Sequence, residues 1–279
     1  MPRLSGYWVM GKQTIKDFGE QWSRHTLSEG YDAYDASTEQ LADICGPLLD
    51  LDDVKGKQVA EIGSGPGRII NMLMELGAAH VIALEPASGA MASCKMNTKK
   101  HADRITYIED IGDNLPPSGD LDYVLSIGVL HHIEDPRPAV RAAYAALKPG
   151  GKIVIWLYGR EGNGLYLAFA WPLRMITTRL PDAWLDFITA LLDRILDPYI
   201  WLAKRFPFLP MSAYLTNIFS RLSCPQRRVN IFDQLNPAYA RYYRRQEAHD
   251  LVAGAGFEPT EVCQRFGYSW TVRGTKPAG

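Results

Sequence analysis

The sequence predicts an α/β fold built on a mostly parallel sheet, and two observations support this prediction. The first is an apolar run over residues 58 to 62 that leads into three alternate glycines, Gly63, Gly65 and Gly67. The second is the alternation of short apolar runs with helical patterns as far as residue 158. Strands that are separated by helices of this length form parallel βαβ units.

Each further element follows from a local pattern. Lys148 to Gly151 contains Pro-Gly-Gly, which predicts a sharp turn before the fifth strand. Two last strands, near 258 to 264 and 266 to 274, are joined by so short a turn that they must be antiparallel. The pattern predicts strands over 58 to 62, 80 to 84, 104 to 108, 121 to 126 and 152 to 158, and helices over 67 to 76, 87 to 100, 138 to 147 and 245 to 253.

The same patterns divide the chain into four segments. Residues 1 to 54 carry apolar positions at helical spacing and form a predicted helical N-terminal cap. Residues 55 to 163 form the sheet core, and residues 244 to 279 complete the sheet. Between them, residues 164 to 243 form a helical insert that holds 15 of the 30 aromatic residues.

Composition limits the classes of function. The chain has 279 residues, of which 22% are charged and 47% hydrophobic, as is usual for a soluble globular protein. The net charge of −1 gives no reason to expect a nucleic-acid partner. The charge is nevertheless uneven, because residues 1 to 159 carry 15 basic and 21 acidic groups and residues 160 to 245 carry 12 basic and 6 acidic groups.

The four cysteines are far apart and have no histidine at ligand spacing, so we expect neither a zinc site nor a disulfide framework. No metal requirement is predicted. The N-terminus lacks the apolar core of a signal peptide, and no stretch reaches about 18 apolar residues. We therefore expect a cytoplasmic protein.

The glycine loop carries the chemistry. A dinucleotide site needs a third glycine at the position of Arg68, whereas this chain reads Glu-x-Gly-x-Gly-x-Gly from Glu61. An acidic residue, Glu85, closes the second strand, Asp110 follows the third, and a long apolar run ends at His132. Together these motifs resemble the class I S-adenosylmethionine-dependent methyltransferases. The resemblance implies a seven-stranded Rossmann-like sheet and S-adenosylmethionine as the cofactor.

The resemblance also implies the roles of individual residues. Glu61 would orient the ammonium of the cofactor, the backbone of Gly63 and Gly65 would bind its methionine end, and Glu85 would accept hydrogen bonds from both ribose hydroxyls. Asp110 resembles the acid that contacts adenine, although Glu109 and Asp113 compete for this role. The predicted cofactor-binding residues are Glu61, Gly63, Ser64, Gly65, Gly67, Glu85, Pro86, Asp110, Ile111 and Ser126.

In the resembling enzymes the N-terminal segment folds over the cofactor. Trp22, His25, Tyr31 and Tyr34 are therefore candidate lid residues. The alternative is that Phe18 and Trp22, which are four positions apart, fix this segment to the core.

Methyl transfer from a sulfonium needs alignment more than a catalytic side chain, but an alcohol acceptor must lose its proton. His131 and His132, after the fourth strand, are candidate general bases or a structural element beside the cofactor. Tyr158, Arg160 and Glu161, at the end of the fifth strand, are the alternatives for this role, and Tyr158 and Tyr239 are also candidate acceptor-binding residues. Arg227 and Arg228 belong to a basic cluster that would bind an acidic acceptor or an anionic membrane surface, or would form a solvated face.

Three functions stay open at this point. We favour O-methylation of a small molecule with an apolar body. The second is a C- or N-methyltransferase that acts on a lipid-like or isoprenoid substrate at the membrane surface. The third is a binding or scaffold protein that keeps the cofactor fold without transfer.

Overall fold

The computed structural model describes residues 15, 34, 36–177, 180, 182–235 and 239–278. Seven strands form one sheet with the order β3-β2-β1-β4-β5-β7-β6. Their bounds are β1 Gln58–Ile62, β2 His80–Leu84, β3 Ile105–Ile108, β4 Leu121–Ile127, β5 Leu147–Tyr158, β6 Thr260–Arg265 and β7 Ser269–Thr275.

Helices follow the strands in the predicted alternation. They are α1 Thr38–Cys45, α2 Arg68–Glu75, α3 Ser88–Asn97, α4 Arg137–Ala146, α5 Gly164–Thr177, α6 Asp182–Arg205, α7 Ser212–Asn217, α8 Cys224–Leu235 and α9 Arg245–Ala253. Short 3-10 turns occur at Gly46–Leu48, Leu51–Val54, Lys99–Arg104, Gly112–Asn114, Leu130–His132 and Phe219–Arg221.

The pairing confirms the predicted fold class. β1 to β5 are mutually parallel wherever they pair, and β7 runs antiparallel to both β5 and β6. The largest difference from the predicted strand bounds is at β5, which begins at Leu147 rather than at residue 152. Leu147 already pairs with Leu121, and the register shifts before Lys152 pairs with Tyr123. The Pro-Gly-Gly segment is therefore an irregularity within a strand.

The sheet is covered on both faces because side chains alternate along its strands. In β1, Val59 joins a buried cluster with α1, α2 and α3, whereas Ala60 and Ile62 join the cluster with α4 and α9. Both faces of the strand are thus apolar. This covering leaves the carboxyl ends of β1, β2 and β4 as the edge where a ligand can approach.

A third apolar cluster belongs to the insert. α5 and α6 both pack on α8, and Leu185, Leu215 and Ile231 are buried among them. The predicted helical insert after the fifth strand is thus confirmed. Its role as a substrate region stays a prediction, as do the domain boundaries.

Arg221 joins the N-terminal segment to the insert, and Tyr34 also belongs to the apolar cluster of the insert. The guanidinium carbon of Arg221 lies 3.7 Å from the ring centre of Tyr34, and Arg221 also pairs with Glu39 and Asp43 at 2.8 and 3.2 Å. The hydroxyl of Tyr34 donates to Asp43 at 2.8 Å. Of the other candidate residues, Phe18, Trp22, His25 and Tyr31 lie outside the described residues.

Candidate active site

The glycine loop joins the end of β1 to the start of α2 and depends on backbone that only glycine adopts easily. Gly63 has a φ of 78°, and a Cβ added there would lie 2.4 Å from a methyl carbon of Val129. Gly67, with a φ of 87°, lies against Thr98 and Cys94 of the α3 region. Gly63 therefore permits a close approach within the site, and Gly67 permits close helix packing.

The amides of this loop are already bonded within the protein. The Gly63 N–H donates to the carbonyl of Leu84 at 2.8 Å, and the Gly65 N–H donates to Oε2 of Glu85 at 3.0 Å. The sequence analysis assigned the backbone of Gly63 and Gly65 to the methionine end of the cofactor. With their N–H groups engaged, they would offer a ligand carbonyl oxygens, which suit an ammonium group.

Two buried polar atoms beside this loop have no partner among the described residues. They are Oε2 of Glu61, in a side chain that is 1% exposed, and the hydroxyl of Ser64. Burial raises the pKa of Glu61 well above its ordinary value of 4.5, with Arg68 acting in the opposite direction. A buried carboxyl oxygen without a donor is costly for the ligand-free protein. It is therefore a natural acceptor for a donor that a ligand brings.

Glu85 closes β2 and holds two chain segments together. Its two carboxyl oxygens accept hydrogen bonds from the N–H groups of Gly65 and Ala87, each at 3.0 Å. Burial raises its pKa, while these two backbone bonds lower it. Each carboxylate oxygen has a further lone pair, so Glu85 can accept ligand hydroxyls in addition.

The acids after β3 do not all reach the same place. Asp110 accepts hydrogen bonds from the Ile111 N–H at 2.7 Å and from Asn114 at 2.9 Å, and it lies outside the cavity lining. Ile111 and Asp113 do line the cavity. The competing position that the sequence left open, Asp113, is thus the acid that faces the site.

The two histidines occupy different environments. His131 is fully buried, and its ring lies 3.8 Å, centre to centre, from that of Tyr158. His132 lines the cavity, and its Nδ1 lies 2.9 Å from the carbonyl oxygen of Tyr239. A carbonyl only accepts, so Nδ1 carries the proton and Nε2 carries the basic lone pair of the neutral ring. Burial lowers the pKa of His132 to about 4.

One polar network was missed by the sequence analysis. Gln234 donates from Nε2 to the hydroxyl of Tyr158 at 2.8 Å. Its Oε1 accepts from the hydroxyls of Tyr166 at 2.8 Å and Tyr242 at 3.0 Å. The network ties the end of β5 to α5 and α8. Tyr158 and Gln234 both line the cavity, and burial raises the pKa of Tyr158 well above 10.

Of the remaining predicted residues, some line the cavity and others do not. Tyr239 lines the cavity, whereas Ser126 is buried beneath it and donates to the carbonyl of Ile62 at 3.2 Å. Arg227 lies at the contact of α6 and α8, outside the cavity lining, and pairs with the fully buried Asp193 at 2.8 Å. Arg228 lies 3.8 Å from the same acid and is partly exposed.

A single cavity of about 710 Å³ brings these groups together. It extends from the glycine loop, past the ends of β2, β4 and β5, to residues of α7 and α8. The volume lies within the range of pockets that hold molecules of cofactor size. Among the predicted residues it collects Glu61, Gly63, Ser64, Gly65, Glu85, Pro86, Ile111, His132, Tyr158 and Tyr239.

In the part of the chain that the structure describes, no group of three or more His, Cys, Asp and Glu side chains is arranged to hold a metal ion. None of the helices in that part combines the length and the apolar character needed to cross a bilayer. The predicted cytoplasmic location stays a prediction.

Comparison with known proteins identifies the core. Residues 60–155 match the family model described as a methyltransferase domain. Residues 60–155 therefore form a methyltransferase domain of the class I, S-adenosylmethionine-dependent type. The family resemblance, its cofactor and the predicted fold are thereby confirmed. An O-methyltransferase family protein from Burkholderia thailandensis shares the fold, with a TM-score of 0.54 and 12% identity, over 87% of this chain and 57% of that one.

The curated relatives match over part of their length. A ubiquinone biosynthesis O-methyltransferase from Idiomarina loihiensis is 33% identical over 106 residues, which are 37% of this chain and 42% of the relative. One from Cereibacter sphaeroides is 27% identical over 164 residues, or 56% of this chain and 64% of the relative. The chain thus spans less than two thirds of the relatives that it matches.

Proposed function

We propose that this protein transfers a methyl group from S-adenosylmethionine to a hydroxyl oxygen of a small molecule with an apolar body. One observation carries the proposal: the same cavity is lined by Glu61 and Ser64, each with a buried oxygen that has no partner among the described residues, and by His132, whose Nδ1 lies at the Tyr239 carbonyl. The buried oxygens of Glu61 and Ser64 could accept hydrogen bonds from a cofactor, and His132 could accept the proton of a hydroxyl acceptor. The names of the curated relatives also support oxygen as the accepting atom.

The residues of the cavity fit the cofactor. Glu61 and the loop carbonyls would receive its ammonium, and the second lone pairs of Glu85 would receive its ribose hydroxyls. Ile111 and Asp113 would lie beside its adenine. When bound, the cofactor supplies a methyl group on a sulfonium, which is already activated toward displacement. The protein's own contribution is alignment, which lowers such a barrier by about 7 to 11 kcal/mol.

His132 would take the proton of the acceptor hydroxyl. Its lowered pKa keeps the ring neutral at neutral pH, and the Tyr239 carbonyl fixes the tautomer in which Nε2 accepts. His131 would support this arrangement from below, since it is buried and lies outside the cavity lining. A carbon or nitrogen acceptor would not need this base in the same way.

The acceptor would be bound between the core and the insert. Tyr214, Ile218 and Leu222 provide apolar surface on that side of the cavity, which favours an apolar body. Tyr158, held by Gln234, would place a hydroxyl near the acceptor. The predicted contact of Arg227 and Arg228 with an acidic group stays a prediction, and their location at the α6 and α8 contact gives it no support.

The test compares His132→Gln with the control His249→Gln, at a partly exposed site on α9 outside the cavity lining. We expect His132→Gln to lower the turnover of a phenolic acceptor by about 10²- to 10⁴-fold while S-adenosylhomocysteine still binds by calorimetry. The control should keep its rate. Because the pKa of His132 is about 4, the wild-type rate should show no histidine inflection near pH 6.5.

Three results would contradict the proposal. An unchanged rate in His132→Gln would show that His132 is not the general base. Mass spectrometry that locates the new methyl group on carbon or nitrogen would favour the second function. No formation of S-adenosylhomocysteine with a cell extract, in a protein that binds the cofactor, would favour the scaffold.

A further inference from the structure

The insert exposes an unusual amount of apolar surface. The described residues include thirteen large hydrophobic side chains that are exposed, and eleven of them fall between residues 165 and 208. Nine lie on two consecutive helices and are called the apolar face here. Its members are Leu165, Phe169, Trp171 and Met175 on α5, and Trp184, Phe187, Leu191, Ile195 and Trp201 on α6.

The spacing shows that this surface belongs to amphipathic helices. Trp184, Phe187, Leu191 and Ile195 recur every three or four residues, so they share one side of α6. About 100° around the helix from Trp184, Leu185 is buried in the insert cluster. α6 thus buries one apolar side against α8 and leaves a second apolar side in solvent. Exposed apolar patches of this kind mark an interaction surface.

The charged residues beside the apolar face indicate which kind of partner it would bind. Arg194 lies on the same side of α6 as Leu191, Lys204 and Arg205 follow Trp201, and all three cations are exposed. No ion pair joins these three to any described residue.

The acids of α6 whose side chains the structure describes lie elsewhere. Asp193 and Asp197 pair with Arg227, and Asp186 is about 100° around the helix from Phe187. α5 has no acidic residue over Gly164–Thr177. A surface of aromatic and aliphatic side chains bordered by cations suits a layer that is apolar inside and anionic at its edge.

We propose that the apolar face docks this protein on an anionic phospholipid bilayer. Trp171, Trp184 and Trp201 would lie at the headgroup level, where indole rings are favoured. Phe187 and Leu191 would enter the acyl boundary, and Arg194, Lys204 and Arg205 would contact lipid phosphates. A second copy of this chain is a poorer partner, because its own apolar face would bring further arginines to the contact rather than acids.

The docking would place the acceptor cavity close to the lipid. α8 packs against α5 and α6, which carry the apolar face. The same helix supplies Gln226, Val229 and Asn230 to the cavity lining. Two helix layers, α5 with α6 and then α8, therefore lie between the proposed membrane contact and the cavity. The docking itself does not depend on methyl transfer, so the two proposals fail independently.

Vesicle flotation of the full chain tests the docking. The vesicles contain either phosphatidylcholine alone or phosphatidylcholine with about one third phosphatidylglycerol. We expect binding to the anionic vesicles to be stronger on the order of tenfold to a hundredfold at low salt. The double variant Phe187→Glu, Leu191→Glu should lose at least about tenfold in binding to both. Met96→Glu, which changes an exposed apolar residue of α3, should bind as wild type.

A charge variant separates the electrostatic contribution to vesicle binding from the apolar contribution. Arg194→Glu with Lys204→Glu should remove the preference for anionic vesicles, whereas Lys99→Glu, at an exposed site outside the insert, should keep it. Where the double apolar variant fails to fold, quenching of wild-type tryptophan fluorescence by lipids with brominated acyl chains replaces it, and strong quenching is expected.

Three outcomes would overturn the proposal. The first is a wild type that binds neither kind of vesicle. The second is a folded Phe187→Glu, Leu191→Glu protein that binds like wild type. The third is a wild-type dimer in light scattering that this variant turns into a monomer, without vesicle binding. That result would make the apolar face a contact between copies.

Discussion

A single carboxylate, that of Glu85, both holds the glycine loop in place and is proposed to bind the cofactor. Replacing it by Ala removes the acceptor of the Gly65 and Ala87 N–H groups and the charge-assisted acceptor of the proposed ribose contact. We expect affinity for S-adenosylhomocysteine to fall by about 1.5 to 3 kcal/mol in calorimetry. The control is Glu75→Ala, because Glu75 is exposed and pairs with Lys100 at 3.5 Å.

Unchanged affinity in a folded Glu85→Ala protein would remove Glu85 from the cofactor site. Glu85→Gln refines the test. It keeps one oxygen that can accept a backbone N–H but loses the charge, so its affinity should lie between those of the wild type and Glu85→Ala.

The histidine pair shows at the residue scale where sequence reasoning ends. His131 and His132 are adjacent, and the sequence predicts the same role for both. Only the 3-10 turn Leu130–His132 decides that the second faces the cavity and the first packs against Tyr158. The acids after β3 behave similarly, since a shift of three positions separates Asp110 from Asp113. Local sequence predicts that such groups lie near the site but not which of them points into it.

Glycine is required in the glycine loop for two separable reasons, the left-handed backbone and the close approach of a neighbouring side chain. Gly63 and Gly56 have nearly equal φ values, 78° and 73°, but only Gly63 has neighbours within reach of a Cβ. We expect Gly56→Ala to cost about 1 to 2 kcal/mol of stability for the left-handed backbone alone. Gly63→Ala should cost a further 1 to 3 kcal/mol, roughly, from the contact with Val129.

Cofactor affinity should fall only in Gly63→Ala. Thermal unfolding and calorimetry on the two proteins provide the comparison. Equal losses of stability and of affinity in both variants would show that the close approach at Gly63 has no importance of its own.

In the insert, the contact of α6 with α8 depends on a buried ion pair. The Arg227 side chain is 12% exposed and Asp193 is fully buried. Arg227→Glu would place a second acid beside Asp193 and leave it only the longer contact with Arg228, at 3.8 Å, so we expect a loss of about 3 to 5 kcal/mol in unfolding free energy. Arg228→Glu should cost about 0 to 1 kcal/mol, because Arg228 is 43% exposed.

Denaturant unfolding and turnover of these two variants also test the prediction that Arg227 and Arg228 bind an acidic acceptor. Poor turnover in an Arg227→Glu protein of wild-type stability would restore a direct role for this arginine. Loss of both stability and turnover would indicate the structural role.

The elements differ in how far the sequence predicts them. The strands of the core have apolar runs of strand length between turn residues, and their observed bounds agree closely with the predictions. The final antiparallel pair follows from a short turn alone. The insert is different, because Asp193 and Arg227 are 34 positions apart and meet only after two helices cross. The Gln234 network likewise joins three elements, so no local pattern could have predicted it.

At the scale of the whole molecule, folding places several titratable groups where their ordinary protonation is costly. Burial raises the pKa of Glu61 and of Glu85. As pH rises above about 4.5, the unfolded chain releases these protons before the folded protein does, so stability falls. Burial lowers the pKa values of His131 and His132. As pH falls below about 6.5, the unfolded chain takes up protons first, and stability falls again.

Binding of the cofactor should change the pKa of Glu61. Its ammonium, placed beside Glu61, favours the ionised carboxylate and so returns the pKa of Glu61 toward its ordinary value. Binding then releases a proton wherever the ligand-free protein still holds one. We expect affinity for S-adenosylhomocysteine to rise with pH above 4.5, by at most about tenfold per pH unit for one proton.

Calorimetry in buffers of different ionisation enthalpy measures the released proton directly, and Glu61→Gln should abolish the release and flatten the pH dependence. Glu75→Gln serves as the control, because that carboxylate is exposed. Proton release that persists unchanged in a folded Glu61→Gln protein would assign it to another group, and Glu85 is the next candidate because burial raises its pKa in the same direction. In that case the partnerless oxygen of Glu61 would not be the site where the ammonium binds.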